Sequence, residues 1–243
     1  MAEPTDYDTI ADLYVADIDR RPWNALYERP ATLALLPDVH GKDVLDAGCG
    51  HGWYCSWLLA NGARVVGVDR SARMADLAAA RVGSSARIIH GDISDLRHVL
   101  ADAVFDVVLS SLMLHYVTDV GKAFGEFARL LRPGGRLVLS THHPTHDAKS
   151  LFDPGYMVEE IIEERWGWLD QNMRYYRRPL SSFTEPLAAA GFVIERICEP
   201  TPGEALKNAD PEGYERLRRL LAFLFIRARK DGQVAGPAYD PCP

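Results

Sequence analysis

The chain has 243 residues, with 47% hydrophobic and 25% charged side chains, ordinary globular proportions that exclude a disordered, collagenous or fibrous protein. Its 27 Lys and Arg against 34 Asp and Glu leave a formal charge of −7, which repels phosphate backbones, so no nucleic-acid partner is expected. At about 150 residues per domain, the length allows one large domain or two small ones.

Residues 1–40 read as a helical cap rich in aromatics, with Tyr7, Tyr14, Trp23 and Tyr27. Glu3, Asp6, Asp8, Asp12, Asp17 and Asp19 precede the first basic side chain, Arg20, so no secretory signal is expected. The longest apolar run, Leu220 to Ile226, is far shorter than the roughly 20 residues of a membrane-spanning helix, and no membrane partner is expected. Cys49, Cys55, Cys198 and Cys242 show neither CxxC pairing nor ligand spacing; free thiols and a cytoplasmic location are expected.

From residue 43 onward, short β-branched runs alternate with helical stretches, the pattern of βαβ units and a parallel sheet. Strands are expected at Asp43 to Ala47, Arg64 to Val68, Arg87 to His90, Phe105 to Ser110, Arg136 to Thr141, Phe192 to Cys198 and Phe223 to Arg229. Helices are expected at Trp53 to Ala60, Ser71 to Arg81, Val120 to Leu131 and Ser181 to Ala190, each closed by Gly or by Pro133-Gly134-Gly135. Residues 41–141 thus form a core, 142–180 an insertion bearing Tyr156, Trp166, Trp168, Tyr175 and Tyr176, 181–230 the rest of the core, and 231–243 a frayed tail. The insertion aromatics suit either a lid over an apolar pocket or the core of an accessory layer.

The most informative segment is Val44-Leu45-Asp46-Ala47-Gly48-Cys49-Gly50-His51-Gly52, a strand running into a Gly-rich turn that opens a helix. In a parallel sheet that turn lies at the carboxyl end of the strand, where open α/β folds bind ligands. Asp69, 21 residues after Gly48, ends the second strand and suits the diol of a ribose, so a nucleoside ligand is expected. A dinucleotide fingerprint would place its third Gly three residues after the second, where this chain has Trp53. Asp46 would also repel a pyrophosphate, yet it suits a ligand carrying an ammonium and a sulfonium.

At Asp46 to Gly52 the chain resembles the class I S-adenosylmethionine-dependent methyltransferases of the small-molecule group (methyltransferase domain 11/25-like), whose first motif reads acidic-x-Gly-x-Gly-x-Gly. Gly91-Asp92-Ile93, Phe105 to Ser111 and Leu131-Arg132-Pro133-Gly134-Gly135-Arg136-Leu137 match further motifs in order. The resemblance implies an α/β, Rossmann-like doubly wound seven-stranded sheet of order 3-2-1-4-5-7-6, its last strand antiparallel, with N-terminal helices and a lid insertion. It also implies S-adenosylmethionine as cofactor, with contacts from Asp46, Gly48, Gly50, Gly52, Asp69, Arg70, Asp92, Ile93 and Ser110. Asp46, Asp69 and Asp92 could each also serve as a plain cap of the turn or helix that follows.

Methyl transfer from a sulfonium is an in-line displacement, so the enzyme chiefly aligns the nucleophile and removes a proton where there is one to lose. His115, His142, His143 and His146 gather at one edge of the expected sheet, and His143 and His115 are the candidate bases; His115 also has a purely structural reading. No metal is expected, because His142, His143 and His146 have only Asp147 nearby to complete a site. Ser110-Ser111-Leu112-Met113 stands where methyltransferases of base amines and glutamine amides carry Asn or Asp-Pro-Pro-Tyr, which with the acidic charge argues against DNA, RNA and protein-glutamine substrates, and Tyr176-Arg177-Arg178-Pro179-Leu180 resembles a stretch of small-molecule members of the group, which implies a metabolite or natural-product acceptor. The nucleophile, oxygen, nitrogen or carbon, stays open, and a monomer or homodimer is expected. Alternatives are a cofactor-binding, non-methylating enzyme or regulatory protein of the same fold and, disfavoured by Trp53 and Asp46, a nicotinamide-dependent oxidoreductase.

Overall fold

The computed structural model describes residues 3–146 and 155–231; the expected tail beyond residue 231, with Cys242, and Asp147 lie outside the described residues. The N-terminal part folds as α1 (Ala11–Ile18), a π-helical turn over Asn24–Glu28 and α2 (Arg29–Leu35). The core follows as β1 (Asp43–Ala47), α3 (Trp53–Ala60), β2 (Arg64–Asp69), α4 (Ala72–Val82), β3 (Arg87–His90), β4 (Phe105–Ser111), α5 (Val120–Leu130) and β5 (Leu131–His142). Then come β6 (Glu160–Trp166), β7 (Gln171–Arg177), α6 (Ser181–Ala189), β8 (Phe192–Cys198), α7 (Glu204–Ala209), α8 (Pro211–Leu217) and β9 (Phe223–Lys230).

Seven strands pair in the order β3-β2-β1-β4-β5-β9-β8, with β9 antiparallel to both of its neighbours. Since β8 and β9 are the sixth and seventh strands of this sheet, the expected 3-2-1-4-5-7-6 order is the one observed. Val44, Leu45 and Ala47 of β1 are fully buried, as a central strand covered on both faces requires. One face packs Phe124 and Phe127 of α5 and Leu187 of α6; the other packs Cys55 and Leu58 of α3 and Leu35 of α2. Polar caps fix the helix starts at the ligand-binding end of the sheet: Ser71 Oγ accepts from Met74 N at 3.0 Å and Asp119 Oδ1 from Lys122 N at 3.0 Å.

Three features depart from the expected elements. β5 begins at Leu131, not Arg136, because Leu131 pairs with Phe105 ahead of a bulge, after which Arg136 pairs with Val107. The insertion carries a hairpin, β6 against β7, paired from Glu160↔Arg177 to Trp166↔Gln171. α7 and α8 also form between β8 and β9, with Asp210 Oδ1 capping Gly213 N at 2.9 Å. The insertion aromatics divide between packing and a cavity wall: Tyr175 is fully buried in a third cluster with Ile10, Tyr116, Leu169 and Met173, while Trp166 and Trp168 line a cavity.

Candidate functional site

The Gly-rich turn hangs from β2 by its backbone, Gly48 N and Cys49 N both donating to Val68 O at 2.8 and 2.9 Å. Gly48 sits at φ +74°, and a Cβ there would lie 2.3 Å from Met113 Cγ. Gly50 N donates to Asp69 Oδ2 at 2.7 Å and Ser71 N to Asp69 Oδ1 at 2.9 Å. Burial raises the Asp69 carboxyl above its usual range, with these two N–H groups pulling the other way. The carboxylate is therefore pinned at the end of β2 before any ligand arrives.

These residues edge a cavity of about 380 Å³, within the roughly 300–1,000 Å³ of small-molecule sites. Of the expected cofactor contacts, Gly48, Gly50, Asp69, Arg70, Asp92 and Ile93 line it. Asp46, Gly52 and Ser110 do not. Asp46 is 1% exposed behind the turn, accepting from Cys55 Sγ at 3.1 Å. Ser110 is fully buried, and strand alternation gives the cavity its neighbour Ser111 instead. Gly52 serves packing: at φ +81° its Cβ would meet Ala78 Cα at 3.0 Å where α3 crosses α4. Gly52→Ala is expected to destabilise the protein by about 1–3 kcal/mol, read as a lowered urea midpoint; an unchanged midpoint would dissociate Gly52 from the helix contact.

The N-terminal cap supplies a wall that no sequence motif announced. Glu28, 1% exposed, also lines the cavity, and its carboxylate accepts four hydroxyl hydrogen bonds: Thr32 at 2.7 Å, Ser111 at 2.9 Å and Ser140 at 2.6 Å on Oε1, and Tyr54 at 3.0 Å on Oε2. Next to it, the Arg29 guanidinium stacks 4.1 Å from the Trp53 ring and donates to Asp19 at 3.0 Å. Asp19 also binds Arg81 and, at 2.8 Å, His51 Nε2. Burial alone would raise the Asp19 carboxyl, but the Arg81 and His51 contacts outweigh it and hold it at about 2. Further out, Asp8 accepts from Ser71 Oγ at 2.5 Å and Arg73 N at 2.9 Å, fastening the Thr5-Asp6-Tyr7 segment along the cavity.

A second cavity of about 240 Å³ lies under the β6–β7 hairpin and shares Tyr7, Tyr14, Ile18, Asn24 and Leu112 with the first. Three of the four grouped histidines, His115, His142 and His146, line it. The His115 and His142 rings stack with centroids 3.9 Å apart, and His115 Nδ1 lies 3.3 Å from Thr141 Oγ1. Burial first, then the neighbouring Arg178 and His146 charges, lower His115 to about 3. His143 lines neither cavity; it pairs with Glu199 at 2.8 Å and Thr145 at 2.8 Å. Among the described residues no group of three or more His, Cys, Asp or Glu could hold a metal ion, and no helix is long and apolar enough to cross a membrane.

The residues of the first cavity fit a nucleoside carrying a cationic tail. Asp69 already has its backbone donors in place, Asp92 and Ile93 line the same cavity after β3, and Glu28 adds a carboxylate at the cap wall. Comparison with known proteins agrees. The methyltransferase-domain family model matches residues 45–139. The structure of an S-adenosylmethionine-dependent methyltransferase from Mesorhizobium loti is 34% identical, with TM-score 0.73, covering 85% of this chain and 99% of that one. An uncharacterised protein of Haemophilus influenzae is 28% identical over 85% of this chain and 88% of its own. A malonyl-[acyl-carrier protein] O-methyltransferase of Pectobacterium atrosepticum is 40% identical over 45% of this chain, and this match spans only 42% of that enzyme. With a shared fold at this identity over almost the whole Mesorhizobium protein, and the motifs at the same end of the sheet, the chain belongs to the S-adenosylmethionine-dependent methyltransferases.

Proposed function

We propose that the protein methylates a small molecule seated in the second cavity, with the cofactor in the first. The observation that carries this reading is the common wall: Tyr7, Tyr14, Ile18, Asn24 and Leu112 belong to both cavities, so a donor in one and an acceptor in the other meet there. When bound, S-adenosylmethionine supplies an electrophilic methyl group on a sulfonium sulfur. Asp69 would accept hydrogen bonds from its ribose hydroxyls, and Asp92 with Ile93 would receive its adenine. Tyr7 and Met113, on the cavity wall, exclude water.

Asn24 lies on the shared wall and brings a carboxamide to the side of the site where the acceptor meets the methyl group. Burial holds His115 neutral at physiological pH and makes it a weaker base than an ordinary histidine. Alignment therefore supplies most of the rate, as suffices for a nucleophile that is already ionised or neutral with a free lone pair. His143 holds Glu199 outside both cavities and takes no part in the transfer.

Calorimetry with S-adenosylhomocysteine tests the cofactor half of this reading. Asp69→Ala is expected to weaken binding by roughly 1.5–3 kcal/mol, about 10- to 150-fold, the range for hydrogen bonds to a charged group. Wild-type affinity in that variant would remove Asp69 from the ribose site, and binding of NAD in place of S-adenosylhomocysteine would overturn the reading as a whole.

A further inference from the structure

Resting on the acceptor placement above, we infer that the second cavity is built for a planar aromatic or heteroaromatic acid: a flat ring system within, its carboxylate at an arginine-lined mouth. The walls are largely ring faces. Tyr14, Trp23, Trp166, Trp168 and Phe223 line the cavity with His115 and His142, against only two aliphatic side chains, Ile18 and Leu112. Trp166 and Trp168 are stacked on one another, centroids 6.0 Å apart at 26°, and Tyr14 leans on Trp168 at 5.8 Å. Such surfaces favour a flat guest, which gains offset or edge-to-face contact on several sides, over a flexible acyl chain, which would lose rotamer freedom without that gain. At about 240 Å³ the space is below the roughly 300–1,000 Å³ of drug-sized sites, a size for one or two fused rings.

The charge at the opening sets the second requirement. Arg21, Arg165 and Arg216 line this cavity, and Arg165 and Arg216 are solvent-exposed, in a chain whose formal charge is −7. Arg165 pairs with Asp170, and Arg21 lies 3.7 Å from Asp17. Arg216 stacks 5.3 Å from the Trp23 ring, and among the described residues it has no carboxylate partner. The one acid lining the cavity among the described residues, Glu164, keeps its charge but takes its hydrogen bonds from Tyr175 OH at 2.8 Å and Trp166 Nε1 at 3.0 Å, not from Arg216. A guanidinium that lies over a ring and has no ion-pair partner keeps N–H donors available for a carboxylate. An aromatic amine or a neutral ring would gain nothing from that cation, which water would continue to solvate.

The test titrates three probes, 2-naphthoate, 2-naphthamide and octanoate, into the protein saturated with S-adenosylhomocysteine, following tryptophan fluorescence and heat. The acid is expected to bind about three- to tenfold tighter than the amide, the range for a charge contact at a partly solvated opening, and tighter than octanoate by more. In Arg216→Gln the preference for acid over amide should fall to near unity while affinity for S-adenosylhomocysteine is unchanged; Trp168→Ala should weaken acid and amide alike. High salt should shrink the acid preference in the wild type. Equal binding of acid and amide, tighter binding of octanoate, or no binding of any probe to the protein loaded with S-adenosylhomocysteine each overturns the inference. Failure to bind S-adenosylhomocysteine itself would instead bring down the cofactor reading beneath it.

Discussion

Replacing Glu28 by alanine is expected to lower the stability of the cofactor-free protein by about 3–5 kcal/mol, and its melting temperature by about 10 °C. The carboxylate is the shared acceptor for hydroxyls of Thr32 on α2, Tyr54 on α3, Ser111 on β4 and Ser140 on β5. Truncation leaves those donors at the wall of the cofactor cavity, each at a cost of about 1–3 kcal/mol where neither a neighbouring side chain nor water in that cavity replaces the lost acceptor. The sum is smaller than four such costs because Ser140 and Ser111 already lie 3.4 Å apart and can pair with one another. Glu28→Gln keeps the volume and one acceptor oxygen, and should cost less than half as much. Thermal and urea unfolding measure both variants; an alanine variant within about 1 kcal/mol of wild type would mean that the cap is seated on the sheet by its apolar contacts alone.

The same residue shows where a sequence stops being readable. The strands from β1 to β5 were visible because a buried parallel strand is a short apolar run, and the Gly-rich turn because its backbone conformations exclude other residues at Gly48 and Gly52. Glu28 has no such local mark. Its partners stand between 4 and 112 residues away in the chain, and a lone acid among the aromatics of the cap looks like a solvated side chain until the sheet is assembled beneath it. The β6–β7 hairpin escaped for another reason: its turn puts Asp170 at φ +56° in place of the Asn-Gly or Asp-Gly pair that flags a tight hairpin. α8 did carry a signal, Asp210 capping ahead of Pro211 in the first turn, but that signal is short and sits in a stretch with little apolar periodicity.

Asp46 was readable as important but not as to what it does, and its pH dependence decides between contact and support. Burial raises its carboxyl to about 7, with Asp69 adding repulsion, while the Cys55 thiol and backbone N–H work against the shift. Its ordinary value is 3.8. Between these two values the folded protein holds a proton that the unfolded chain has released, so this group's contribution to stability falls as pH rises from about 4 to about 7 and is flat above. At 1.36 kcal/mol per unit, the total is on the order of 4 kcal/mol. The wild-type profile alone will not show it, because buried His115, lowered to about 3, contributes with the opposite sign as pH rises from about 3 to its ordinary 6.5. The difference between wild type and Asp46→Asn does show it. Asparagine keeps an oxygen for the Cys55 thiol and cannot ionise; its extra N–H donors add an offset that is the same at every pH. The variant should therefore gain on wild type by up to about 4 kcal/mol between pH 4 and pH 8 in urea melts of the cofactor-free protein. Parallel profiles across that window would mean that Asp46 is ionised throughout, as a carboxylate facing an open ligand site would be, and the sealed position behind the turn would have to be abandoned.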